Sequence, residues 1–169
     1  LVVDGESFDV SGFSWMDHEF GSSFLEESQI GWDWFSIQLD DGTDVMVYTI
    51  RSIDGEPGRL SSGTVVTTES VTILDSSDYQ LAPVRRWTSP RTGAAYPVVW
   101  KLELPNEGLS LDVAAVVEAQ ELVTAESTGV TYWEGTVDVS GTRNGEDIAG
   151  RGYLEMTGYA GPPMSTVLR

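Results

Sequence analysis

Apolar and polar positions alternate with a period of two along almost the whole chain, the pattern of half-buried strands. In residues 32–39, Trp32, Trp34, Ser36 and Gln38 alternate with Asp33, Phe35, Ile37 and Leu39 until Asp41-Gly42 breaks the run. Residues 45–51 carry the pattern on to Asp54-Gly55 and Pro57-Gly58. Further runs rich in β-branched and aromatic residues fall at 64–68, 71–73, 79–87, 98–104, 109–117, 130–142 and 147–159. Asn144-Gly145 between the last two predicts a type I′ hairpin, because both central residues tolerate positive φ; Asp41-Gly42 and Asp54-Gly55 read the same way. Residues 8–20 read as a first strand. Residues 113–125 hold a weak helical stripe of Val116, Val117, Ala119 and Leu122 without a cap, and strand is the better reading. Gly161-Pro162-Pro163 ends the last strand and leaves a loose tail. Eight to ten antiparallel strands in one domain must protect their edges, and closure into a barrel does so best. The expectation is one all-β antiparallel barrel over residues 1–169, with no repeat or linker.

Composition narrows what such a barrel does. The 27 acidic residues outnumber nine basic ones, for a formal charge of −18, which penalises binding to phosphate backbones and anionic headgroups. Nucleic acid is not an expected partner. No apolar run reaches the ~18 residues of a spanning helix. Residues 1–5 lack the basic start of a signal peptide, and both cytoplasm and cell envelope stay open as locations. Without cysteine there is no disulfide, thiolate chemistry or Cys-based metal site. Lys101 is the single lysine beside eight arginines, a carboxylate-rich balance suited to high salt or to an arginine-preferring proteome.

The chemistry-bearing residues group in a few segments. Trp15-Met16-Asp17-His18-Glu19-Phe20 puts three ionisable groups beside aromatics. On a strand, Asp17 and Glu19 would face one way and His18 the other, inward, where burial tunes an imidazole near neutrality; a core histidine with solvated carboxylates fits the same spacing. Trp32 and Trp34 share a face and could form an apolar wall or plain core. Tyr132 and Glu134 share a face opposite Trp133. Arg85-Arg86 with Arg91 is the one basic cluster, read as balancing surface carboxylates. At least five of Trp15, Phe20, Trp32, Trp34, Trp100, Trp133 and Tyr153 are expected inside the barrel or at its mouth, given the ~150–250 Å² each ring buries. One histidine and no cysteine make zinc improbable. No calcium loop, nucleophile elbow or phosphate-cradling glycine loop is present, so no cofactor and no metal are expected.

Together these segments resemble one family. Trp15-Met16-Asp17-His18-Glu19, Trp32-Asp33-Trp34-Phe35-Ser36-Ile37-Gln38-Leu39-Asp40-Asp41-Gly42, Ser89-Pro90 with Tyr96-Pro97-Val98, Tyr132-Trp133-Glu134-Gly135, and Gly152-Tyr153-Leu154-Glu155-Met156-Thr157-Gly158-Tyr159 are similar, in order and spacing, to the AttH-like and carotenoid 1,2-hydratase family over about residues 12–161. The resemblance implies a lipocalin-like barrel, and specifically the second barrel of a tandem pair. It also implies cofactor-independent chemistry: hydration of an isolated double bond in a carotenoid or prenyl group, or cyclisation of a polyene. Two departures stand against a carotenoid substrate. Phe20 replaces the tryptophan common after Asp-His-Glu, and Thr49-Ile50 follow Tyr48 where a hydratase carries a carboxylate.

Hydrating a trisubstituted alkene needs an acid to protonate one carbon, aromatic faces to stabilise the tertiary cation, and a base to guide water. Asp17, His18 and Glu19 are the candidate proton-transfer groups. Trp15, Phe20, Trp32, Trp34, Tyr48, Trp100 and Tyr132 are the candidate substrate wall. Two functions follow: a hydratase or cyclase acting on a hydrophobic isoprenoid or polyketide, or a non-catalytic carrier of an apolar small molecule. A lone second barrel would also bare an apolar face near residues 1–21, to be covered by a homodimer partner or a separately encoded first barrel.

Overall fold

A computed structural model describes residues 1–17, 25–54, 57, 58, 60–124, 126, 127 and 129–167. Two short strands, β1 (Val2–Val3) and β2 (Glu6–Ser7), pair separately through a turn in which Asp4 and Gly5 both have positive φ. Ten strands form one antiparallel sheet: β3 (Gln29–Leu39), β4 (Asp44–Ser52), β5 (Ser62–Val66), β6 (Val71–Asp75), β7 (Gln80–Thr88), β8 (Ala95–Leu104), β9 (Leu109–Ala115), β10 (Glu121–Val123), β11 (Thr131–Arg143) and β12 (Glu146–Thr157). Their order is β6-β5-β4-β3-β12-β11-β9-β8-β7, and β10 pairs the start of β11. The fold is the expected all-β, lipocalin-like one. The sheet curls into a half-barrel whose edge strands, β6 and β7, are joined by the chain and not by a ladder.

Alternation decides which side chains fill the curl. Phe35 and Ile37 on β3, Val45 and Val47 on β4, Leu102 on β8, Leu111 and Val113 on β9, Trp133 and Val137 on β11, and Leu154 on β12 are all fully buried on the inner face. Gly152 opposes Ile37, and a Cβ there would run into the Ser36 carbonyl; glycine permits the close approach of β12 to β3.

Several expectations are corrected here. Residues 8–17 form no strand, and 18–20 lie outside the described residues. Asn144 and Gly145 do both take positive φ, as in a type I′ turn. At Asp41-Gly42 only the glycine does; Leu39 and Thr43 close a longer loop, with Asp41 accepting the Thr43 N–H at 2.9 Å. Gly55 is outside the described residues. The 113–125 stretch is strand, then loop, then strand. The tail is docked rather than loose: α1 (Met164–Val167) buries Met164 and Ser165, and the Ser165 hydroxyl donates to the Glu27 carbonyl at 3.3 Å.

The charge imbalance survives folding. Lys101 sits between Glu103 and Asp112, Arg51 pairs with Asp33, Arg85 with Glu118 and Arg143 with Asp41, and with 27 acidic residues against nine basic ones the excess of negative charge stays. Shrinking the Debye length from about 30 Å at 0.01 M salt to ~3 Å at 1 M should therefore relieve more repulsion than it removes attraction. Urea midpoints are expected to rise across that range of potassium chloride. A flat or falling response would mean that the local pairs outweigh the net charge.

Candidate functional sites

Two concave sites lie on opposite faces of β3, because alternate residues of this strand point opposite ways. The inner one is a cavity of about 430 Å³ at one end of the half-barrel, lined among others by Asp33, Arg51, Tyr79, Arg86, Trp100 and Tyr159. Asp33 is 3% exposed. Its Oδ2 lies 3.1 Å from Arg51 Nε, and its Oδ1 accepts the Tyr159 hydroxyl at 2.9 Å. The Arg51 guanidinium stacks 4.0 Å from the Tyr159 ring centroid and donates to the Thr157 carbonyl. Burial pushes the Asp33 carboxyl up to about 6, although Arg51 and the Tyr159 hydrogen bond pull it down. Burial also raises the Tyr159 phenol well above its ordinary value, with the Asp33 charge adding to the shift. The Trp100 indole donates to the Pro97 carbonyl at 3.1 Å and meets Phe35 edge-on at 5.4 Å.

The outer site is a groove of about 490 Å³ between the irregular N-terminal segment and the outside of the sheet. Trp15 crosses over β3 and meets Trp34 edge-on, with centroids 6.1 Å apart. Its indole N–H donates to Asp17 Oδ1 at 3.0 Å. Phe13, Tyr153 and Glu155 complete the walls, and Arg151 stacks 5.5 Å from Phe13. Beside the groove, the Trp32 indole donates to Glu155 Oε1 at 2.7 Å.

The sequence-predicted residues divide between these sites in an unexpected way. Trp15, Asp17 and Trp34 do come together, but outside the sheet. Trp32 is half-buried on that face, and so is Tyr48, whose Cα partner is Trp34. Tyr132 is also outward, between Leu122 and Thr157. Among the described wall residues, Trp100 alone lies inside, at the cavity. His18, Glu19 and Phe20 lie outside the described residues. Of the six described aromatics expected in the interior, Trp100 and Trp133 are there, whereas Trp15, Trp32, Trp34 and Tyr153 lie on the other face, Tyr153 40% exposed. The aromatics inside the curl are instead Phe35, Tyr79, Tyr96, Trp100 and Trp133, with Tyr159 packed against them. Asp33, Arg51, Arg86 and Tyr159 were not singled out as a site. The available signal was their register, since Asp33 and Arg51 share parity with the aliphatic residues of β3 and β4. Arg85 balances a surface carboxylate as expected, at 2.5 Å from Glu118, but Arg86 lines the cavity. Among the described residues no cluster of His, Asp and Glu is arranged to hold a metal ion, and no helix is long and apolar enough to cross a membrane.

The half-barrel with a polar cavity at its inner end defines a lipocalin-like protein. The chain is more specifically placed by its match to the AttH-like family model over residues 1–159: it belongs to the AttH-like family. A candidate AttH from Nitrosomonas europaea is 33% identical with a TM-score of 0.73, over 83% of this chain and 42% of that one. The kievitone hydratase of Nectria haematococca is 20% identical with a TM-score of 0.64, over 78% of this chain and 40% of that one, a likeness of fold. The chain thus spans about two fifths of either neighbour. No curated protein matches it.

Proposed function

We propose that the outer groove is part of a hydratase-type site, in which water is added across a double bond of an apolar isoprenoid or polyketide without a cofactor. The convergence of Trp15 and Asp17 with Trp34 carries this reading: residues 19 positions apart form one aromatic wall with a carboxylate at its edge. Asp17, with His18 and Glu19 next to it in sequence, supplies the proton to the less substituted carbon. Trp15 and Trp34 stabilise the tertiary cation, and water then adds to it. The proton that the water releases returns to a carboxylate, Glu155 being the second one in the groove. Trp32 and Tyr48 back this wall from neighbouring positions.

The described residues alone leave the groove open to solvent, and a hydration site must control water. Phe13 lines it, and Leu1, Val2, Val3, Phe8, Val10 and Met16 of the same N-terminal segment are exposed apolar residues. A first barrel, fused or separate, or a second copy of the chain would cover both.

The test incubates the protein with acyclic isoprenoids and prenylated phenols and follows the gain of one water by mass. Asp17→Asn is expected to lower the rate at least ~100-fold, and Trp34→Ala to lower kcat more than it raises KM. Asp17→Asn with full turnover would remove the carboxylate's role. Saturable binding of these ligands with no product would favour the carrier reading instead.

A further inference from the structure

The inner cavity has a chemistry that the outer groove does not share. In a chain of formal charge −18, two guanidiniums, Arg51 and Arg86, line one cavity against a single buried carboxylate, Asp33. Arg51 is already engaged by Asp33 and by the Thr157 carbonyl. Arg86 donates from Nη1 to the Ala95 carbonyl at 3.1 Å and makes no direct ion pair among the described residues, although its charge also acts on the buried Asp33. The excess 18 negative charges make an unpaired arginine at a concave surface a selective place for an anion. The rest of the lining sets the anion's size and shape. The rings of Tyr79, Trp100 and Tyr159 and the apolar Leu81 and Pro83 face a space of about 430 Å³, which is within the range of small-ligand pockets.

We infer that this cavity binds a small aromatic carboxylate, its anionic end held by the fork of Arg86 at the mouth and its ring lying among Tyr79, Trp100 and Tyr159. Asp33, Arg51 and Tyr159 form the polar floor. A planar guanidinium matches a carboxylate with two parallel hydrogen bonds, which a spherical anion or a neutral isostere does not reproduce. Thr49 and Gln80 supply hydrogen-bonding groups for a ring substituent. The site lies on the opposite face of β3 from the hydratase groove and does not depend on that reading.

Calorimetric titration of the full chain with 2-naphthoate tests it, with 2-naphthamide and inorganic phosphate as comparison ligands. The expected result is saturable one-to-one binding of the carboxylate, with amide and phosphate at least about tenfold weaker. Arg86→Gln should weaken naphthoate binding at least about tenfold, with Arg86→Lys recovering part of it. Arg143→Gln, which removes the same charge far from the cavity, should leave the affinity within about twofold. Equal binding of the amide, tighter binding of phosphate, no saturable binding, or an unaffected Arg86→Gln would each overturn the assignment. Because the readout is carboxylate binding and not hydration, its failure leaves the groove's function standing, and the converse also holds.

Discussion

Trp133→Ala is expected to remove roughly 3–5 kcal/mol of stability, a large effect for a single truncation. Trp133 is fully buried on the inner face near the start of β11, between Glu121 of β10 and Met156 of β12. Its indole N–H donates to the Glu118 carbonyl at 2.7 Å, which ties the loop before β10 to the core. Truncation opens a large cavity and also removes one of the two hydrogen bonds that the Glu118 carbonyl accepts, the other coming from the Gln120 N–H at 3.0 Å. A typical domain has only about 5–15 kcal/mol in hand, so the variant should unfold at low urea or fail to accumulate. Trp133→Phe keeps most of the apolar volume and loses the hydrogen bond, at about 1–2 kcal/mol. Urea titration of both variants provides the check. A Trp133→Ala midpoint close to the parent's would show that the indole is not packed in the core.

The second large effect is a pH dependence that centres on Asp33. Its carboxyl is raised in the folded protein from an ordinary 3.8 to about 6. Below pH ~4 the group is protonated both folded and unfolded, and the shift has no effect on stability. Between pH 4 and 6 the unfolded chain ionises first, and folding loses stability as pH rises through the folded value. About two units correspond to ~3 kcal/mol, fully lost above pH ~7. Asp33→Asn cannot ionise, so the stability of the parent relative to this variant should fall by about that amount from pH 4 to pH 7. Melts of both proteins across the range isolate the group from the general rise in carboxylate repulsion, which both share. A parallel pair of curves would place Asp33 at an ordinary carboxylate value and make Arg51 an equal counterweight to its burial.

The strands were legible because period-two runs separated by Asx-Gly and Pro-Gly signals leave little else for those residues to form. What alternation does not say is which of its two faces is inside. Trp32 and Trp34 are the most hydrophobic residues of β3, and on that ground they read as core. Yet their face continues into Ser36 and Gln38, while Asp33 leads into Phe35, Ile37 and Leu39. Register completes the choice: Phe35 opposes Val47, Ile37 opposes Val45, and Asp33 opposes Thr49. The buried acid is tolerated because Arg51 and Tyr159 reach it, and Tyr159 lies 126 residues away. No local window contains that compensation. The Trp-Met-Asp-His-Glu segment misled in the other direction, since its described part crosses the sheet as irregular chain instead of alternating within it.

The seam between β6 and β7 has a kinetic consequence. These strands are consecutive in sequence yet stand at the two ends of the sheet order, so the short link from Asp75 to Gln80 must hold the edges within about 18 Å. Ser76, Tyr79, Gln80 and Leu81, at that link and the start of β7, are also cavity lining. Part of the cavity wall is thus the stretch where the half-barrel is held by a tether and by packing. Parting it breaks no strand-to-strand ladder, only side-chain ties such as the Tyr79 hydroxyl donating to the Tyr48 carbonyl at 2.7 Å. A carboxylate guest of the kind inferred above would therefore enter and leave through small outward excursions of the tether. Exchange at the cavity is in this way uncoupled from the unfolding rate of the molecule, and substitutions that firm up β11 and β12 should slow unfolding while leaving residence time in the cavity unchanged.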